Sequence, residues 1–473
     1  MRRGIATLLA AALAAGCTVG PDYQRPEIQA PERWRIDYPQ AAEVANTRWW
    51  EQFGDPVLDD LIDIALNENQ DLLIAAARVD QFLGALTSTR SQFYPQIGYG
   101  ADVSRNRASS VGQPPLAPGT DPYYSLYRGA LTADWQIDLF GRVRRQSEAV
   151  QAQVYASEQG RRGVILSLVA SVASSYIGLR ALDRQLEIAR AASVNYGETQ
   201  RIFELRYAGG AVSELELRQV ESQYQQALAA IPSLELQVAA QENLISVLLG
   251  RNPGSIPRGK TIDRLIAPAI PGDLPSALLE RRPDILQAEQ ALVAATANIG
   301  AAKSLYFPSL SLTGLLGTVS TALDDFLTSA ATTGGIAAGV SGPIFTFGGI
   351  RGQVDTAEAS QREALAVYRR TILVALREAN DALVGSVKKR EESEAQAKRV
   401  AALRAYAQLS RLRFDNGYAG YLEVLYAENE LFSAELTAVR TQAERYAQIV
   451  SVYQAVGGGW VDEADLPTPQ PKK

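Results

Sequence analysis

Residues Gly254–Thr261 read GSIPRGKT, letter for letter the G-x-x-x-x-G-K-T spacing in which backbone amides and a lysine cradle nucleotide phosphates. That chemistry needs a strand before the glycines and a helix opening at Lys-Thr, so that the amides converge on phosphate. Here a helical pattern ends before the motif, Pro257 removes an amide, and TIDRLIAPAIPGDLP after it is poor in helix, with no acidic magnesium-binding strand behind it. Nucleotide binding is therefore set aside. Composition bounds the rest. The 473 residues include no His, one Met and one Cys, which excludes Ser-His-Asp, Cys-His and His-metal sites and any intramolecular disulfide. The formal net charge is −6 with cations spread along the chain, so no basic patch points to nucleic acid. No enzyme, metal site or bound cofactor is expected.

The one cysteine has a different chemistry. Arg2 and Arg3, an apolar run from Gly4 to Ala15 and then Gly16-Cys17 form a basic region and a core too short to span a membrane. This resembles a bacterial lipoprotein signal, with residues 1–16 removed and a covalent lipid placed on Cys17. Ala14 stands where the usual box prefers Leu. The alternative is an ordinary secretory signal cut near Cys17, which would export a free thiol.

Around these residues the chain is built from two kinds of element. Leu131, Ala133, Trp135, Ile137 and Leu139 alternate with Thr132, Asp134, Gln136 and Asp138, a strand with one oily and one polar face. After Gly141 the alternation gives way to a long helix free of proline, reaching about Tyr207. The same junction recurs 207 residues later at PIFTFGGIR, Pro343–Arg351. An earlier match, YPQIGYGADVS from Tyr94 against FPSLSLTGLLG from Phe307, has an offset of 213, so the second copy carries a loop six residues shorter. The spacing predicts a segment 17–68 lying against the body through Trp49 and Trp50, a first repeat over 69–250 (helix, hairpin, long helix, return helix), a linker over 251–283, a second repeat over 284–456, and a flexible tail over 457–473. A helix of about 65 residues reaches roughly 100 Å. Four amphipathic strands cannot close a barrel, which takes at least about eight, so copies of the chain must pool their strands.

From Cys17 to Trp460 the chain resembles the TolC-like outer-membrane factor family, nearest its OprM/NodT-type lipoprotein branch. The residues that carry the likeness are CTVGPDYQRP from Cys17, WW..F.DP..DDLI from Trp49, DLFGRVR from Asp138, LPSALLERRPDILQAE from Leu274, IGAAKSLYFPSLSLT from Ile299, GPIFTFGGIRG from Gly342 and GGGW from Gly457. The resemblance implies a mainly α fold with β, a homotrimer whose strands form one shared twelve-stranded barrel in the outer membrane, and a coiled-coil helical barrel reaching into the periplasm. It implies a passive efflux conduit for drugs or other small toxic compounds, opened at its periplasmic tip by an adaptor (membrane fusion) protein and an inner-membrane pump of the proton-driven RND type. Alternatives are type I protein secretion, metal efflux, or an adaptor lipoprotein without a pore. It also implies a gate at two turns, RYAGGAVSELE from Arg206 and RFDNGYAGYLE from Arg413. Leu422 would be the apolar constriction, Glu423 an inward carboxylate ring, and Glu216 the partner of a cation on the neighbouring hairpin. Phe414 stands where the family often has Tyr, and Tyr426 where an inward Asp is common, which suggests a more apolar closure around Arg413. The plain alternative is that Glu216 and Glu423 are solvated charges favoured at helix starts.

Overall fold

The computed structural model describes residues 18–27, 48–109, 117, 119–270, 281–457 and 460–471. Cys17 and the segment before it lie outside the described residues. The elements, in chain order, are a 3-10 turn (Trp49–Phe53), α1 (Pro56–Glu68), α2 (Gln70–Ser91), β1 (Gln96–Arg107), β2 (Tyr123–Ile137), α3 (Arg142–Ala208), α4 (Glu214–Leu248), α5 (Pro283–Lys303), β3 (Ser309–Ser320), β4 (Thr332–Ser341), α6 (Gly349–Asp415), α7 (Tyr421–Val456) and α8 (Trp460–Asp465). The fold is mainly α with one sheet. The chain divides into two compact units, one of residues 1–27, 80–156 and 288–368 and the other of 28–79, 157–287 and 369–473.

The first unit holds the sheet, antiparallel throughout in the order β1-β2-β3-β4. Register turns the alternation seen in the sequence into a continuous surface. Tyr99 lies opposite Leu131 and Leu131 opposite Leu316, while Ile97, Ala133, Gly314 and Ile336 form the next row and Trp135, Leu312 and Ala338 another. Directly paired residues share a face, so one side of the sheet is apolar and the other carries Gly98, Thr132, Asp134, Thr313 and Ala337. Both faces are largely open to solvent in the single chain, with Tyr99 90% and Ile336 92% exposed. β1 and β4 are edges, each paired on one side only.

One residue at the base of β2 differs from the sequence reading. Asp138 does not continue the polar face, because β2 ends at Ile137. Its carboxylate accepts the amides of Val143 (3.1 Å) and Arg144 (3.0 Å) and pairs with Arg144 Nε (3.2 Å), fixing the start of α3. Trp135 sits at the helical end of the sheet, where its indole N–H donates to the Phe93 carbonyl (2.9 Å); mid-strand on that face is Leu131. Residues 18–25 dock on this junction. Gly141, at φ +77°, has Thr18 so close that a Cβ there would lie 2.8 Å from its methyl group. Arg145, almost fully buried, donates to Asp22 (2.6 Å) and to the Val19 carbonyl (3.3 Å), and Tyr23 and Arg25 both reach Glu289 (3.0 and 3.1 Å).

The second unit is centred on aromatic and aliphatic side chains from α1, α3, α4 and α7. Trp49 and Trp50 are fully buried, Trp49 stacked on Tyr453 (4.9 Å) and both edge-on to Trp460 (6.0 and 5.7 Å), which rules out a ligand-stacking platform. Trp460 also corrects the expected flexible tail over 457–473. Residues 460–465 are helical, and Arg161, with a 1% exposed side chain, donates to Asp465 (2.7 Å) and Thr468 (2.9 Å). The Pro/Lys composition hid a partner just over three hundred residues upstream.

The phosphate-loop look-alike is consumed by packing in this unit. The Lys260 amide donates to Asp55 Oδ2 and the Gly259 amide to the Tyr176 hydroxyl, both at 2.9 Å, and Tyr176 in turn donates to Asp55 (2.8 Å). The amides that would have cradled an anion are taken up by the buried Asp55 carboxylate and by the tyrosine hydroxyl that donates to it.

Candidate functional site at the hairpin tips

The two long helices end in turns of the same construction. After α3, Gly210 takes φ +71° and the Ala211 amide returns to the Arg206 carbonyl (2.8 Å); after α6, Gly417 takes φ +76° and the Tyr418 amide returns to the Arg413 carbonyl (2.8 Å). Only glycine adopts that left-handed step at no steric cost, so each helix stops there and reverses.

Beyond the turns the two tips part, and one residue decides it. The cap of α4 is Ser213, whose hydroxyl accepts the Glu216 amide (3.3 Å), while the Glu216 carboxylate accepts the Ser213 amide (2.8 Å) and hydroxyl (2.9 Å). These bonds hold the Glu216 carboxyl below the usual range. Glu216 is thus engaged by its own helix start as half of a capping box. The cap of α7 is Gly420, which offers no side chain. Glu423, three residues into the helix like Glu216, instead pairs across its own turn with Arg413 (3.0 Å).

Between the two tips lies an aromatic cluster that sequence reasoning did not name. Phe203 from α3 is 4.4 Å, centroid to centroid, from Tyr421 of α7 and stacks at 6.4 Å on Phe414 of α6, and Phe414 meets Tyr421 edge-on at 5.3 Å. Phe203 and Tyr421 are each 2% exposed, with Val220, Val424 and Leu425 filling the remaining sides. Arg206 lies over the rings of Phe203 (5.9 Å) and Phe414 (5.7 Å). Phe414 thus serves as packing in its own chain. No periodicity announces this cluster, because it joins hairpins some two hundred residues apart.

Leu422 and Tyr426, four residues apart on α7, face away from the cluster and are 62% and 61% exposed. Behind the tip α6 is laced to α7 by Arg404–Glu435 (2.6 Å), Arg399–Glu430 (3.0 Å) and Lys389–Glu444 (2.7 Å). Nearer the tip, burial raises the Glu428 carboxyl above its ordinary range against the opposing pull of Arg411, 3.8 Å away.

Two helical hairpins clipped together at their tips, on a chain that also carries a sheet with one apolar face, form a combination that known proteins share. The family model described as outer membrane efflux protein matches residues 61–251 and 274–458. The chain belongs to the outer membrane efflux protein family. This efflux protein is 32% identical over 461 residues to the toluene efflux pump outer membrane protein TtgI of Pseudomonas putida, covering 96% of this chain and 97% of that one. It is also 32% identical over 454 residues to the cation efflux system protein CusC of Escherichia coli, covering 94% and 96%. Among solved structures the outer-membrane channel OprN superposes with a TM-score of 0.84 at 30% identity, covering 94% of this chain and all of that one. The open state of the Neisseria gonorrhoeae MtrE channel gives 0.84 at 29% identity, covering 97% and 100%. The efflux protein is accordingly an outer-membrane channel component.

Proposed function

We propose that three copies of the chain, each an internal duplication, pool their sheets into one twelve-stranded barrel. That barrel continues into a helical duct, opened at the hairpin tips by a periplasmic adaptor and an inner-membrane RND pump. The observation that carries this is the sheet: a continuous apolar face bounded by two unpaired edges, β1 and β4. Backbone groups on such edges are not tolerated in lipid, and pairing β1 of one copy with β4 of the next removes them all. A lipid on Cys17 is consistent with the docking of Thr18 against Gly141, which puts residue 18 beside the end of β2.

The cargo is a small organic compound of the kind named for the toluene pump relatives. The similarity to CusC supports metal cations as a second reading, and the sequence offers soft cations no His and no Met beyond Met1. A passive wall needs no such ligands, so the choice between the two rests with the pump. The test is planar-bilayer conductance with two adjacent substitutions. Leu131→Arg, mid-strand on the apolar face, should insert poorly because a cation there costs about 2–4 kcal/mol. Thr132→Arg, on the other face, should insert and alter conductance. A monomer by light scattering, or Leu131→Arg inserting like the parent, overturns the barrel.

A further inference from the structure

β1 carries a feature the duct does not use. Along its apolar face the residues run Ile97, Tyr99, Ala101, Val103, and then Arg105 and Arg107, both exposed. Asn106 between them belongs to the other face, so the Cα atoms of the two arginines stand about 7 Å apart along one edge strand. In register, Arg105 lies opposite Ser125 and Arg107 opposite Tyr123, with Tyr127 beside Val103. Among the described residues, Arg105 Nη1 donates to the Ser125 hydroxyl (3.3 Å), Arg107 lies 5.7 Å from the centre of the Tyr123 ring, and no carboxylate pairs with either. Asp121, the carboxylate of the same hairpin loop, accepts the Tyr123 amide (2.9 Å). Asp324 and Asp325 lie in the β3–β4 loop, and Asp102 projects from the opposite face, across from Arg128.

Height decides what meets the pair. Arg105 is eight residues beyond Ile97, about 27 Å along the strand, or roughly 21 Å of membrane depth at a tilt near 40°. An outer-membrane barrel has an apolar band about 25 Å tall. Arg105 and Arg107 therefore fall at the far rim, where hydrocarbon gives way to headgroups, flanked by the tyrosines that favour that boundary. Two forked donors without a carboxylate, facing outward over an apolar surface, match a phosphate on a lipid.

We propose that Arg105 and Arg107 form a binding site for the phosphorylated headgroup of an anionic lipid in the outer leaflet. The site rests on the barrel reading, since it needs the apolar face turned to lipid. The test uses the full-length protein in phosphatidylcholine nanodiscs, titrated with bisphosphorylated lipid A or its dephosphorylated form and read by native mass spectrometry, with inorganic phosphate as competitor. Arg105→Gln with Arg107→Gln should weaken lipid A binding on the order of 30-fold, while Arg128→Gln on the other face leaves it unchanged. Dephosphorylated lipid should bind the parent as weakly as lipid A binds the double variant, and inorganic phosphate should not displace lipid A. Equal binding of both lipids, equal loss in Arg128→Gln, or full displacement by phosphate overturns the proposal. If the glutamine pair does not insert, Arg105→Lys with Arg107→Lys decides: weaker lipid A binding with unchanged dephosphorylated binding supports it, and no change in either overturns it. Failure of the barrel itself is distinct, because the unmodified protein would then show no conductance.

Discussion

Closure of the tips should depend far more on Phe203 than on the charges around it, and the structure gives the sizes. Phe203 is 2% exposed, in contact with Tyr421 at 4.4 Å and Phe414 at 6.4 Å, so Phe203→Ala removes a whole buried ring and costs about 3–5 kcal/mol. Phe203 belongs to the first hairpin and both ring partners to the second. Much of that loss therefore falls on the bond between hairpins. The Arg413–Glu423 pair is 56% and 28% exposed and lies within one hairpin, which places it at about 0.2–1 kcal/mol. A factor of ten in the closed-to-open ratio takes about 1.4 kcal/mol. Phe203→Ala should thus raise the open fraction at least tenfold in single-channel recordings, and Glu423→Gln by no more than about fivefold. Phe203→Leu, which keeps most of the volume, should lie between them. If Glu423→Gln opens the duct as much as Phe203→Ala, or if Phe203→Ala leaves the resting conductance unchanged, packing between the hairpins is not what holds the tip.

Two further outcomes concern the ends of the chain. Asp465→Ala leaves the buried Arg161 with Glu158 as its remaining carboxylate partner (2.8 Å), and should destabilise by about 3 kcal/mol and expose residues 460–471 to hydrogen exchange. Burial alone would raise the Asp465 carboxyl, but bonds from Arg161 and Thr468 outweigh it and hold the group low. Its contribution is therefore present above the ordinary carboxylate range and lost as pH falls through the folded value, so Asp465→Ala should flatten the acid limb of a thermal melt series. Asp59 behaves in the opposite sense. Burial first, and Glu51 next, push it from an ordinary 3.8 to about 6. The folded chain keeps a proton there that the unfolded chain releases, so stability falls as pH rises between those values, and Asp59→Asn should raise the melting temperature above about pH 6 and change little near pH 4.

Much of the architecture was legible because it rests on period. The alternation through Leu131 and Trp135 gave the faces of β2, and Gly210 and Gly417 marked turns that only glycine makes easily. What escaped depends on partners distant in sequence. Trp460 reads as the start of a polar tail until Trp49 and Trp50 are brought to it, and Phe203 reads as one more apolar helix position until Tyr421 arrives. Asp138 was misplaced for a local reason: alternation does not reveal the residue at which a strand stops and its carboxylate becomes a cap. Glu216 and Glu423 occupy equivalent places, and their different partners follow from Ser213 against Gly420, a contrast visible in the sequence but silent without the side-chain geometry.

That contrast bears on symmetry. A ring built from identical single hairpins would have to change every tip at once, because each substitution would be copied to every position. With two hairpins on one chain, their alternation around a ring is fixed covalently, and a substitution reaches every second position only. In the proposed ring, a serine cap would engage the glutamate of one set of tips at its own helix start while a glycine leaves the glutamate of the other set to pair across its turn. The two sets of tips would then be separately adjustable around a single aperture. Fusing two units into one polypeptide supplies that independence without a second gene product to be made and sorted.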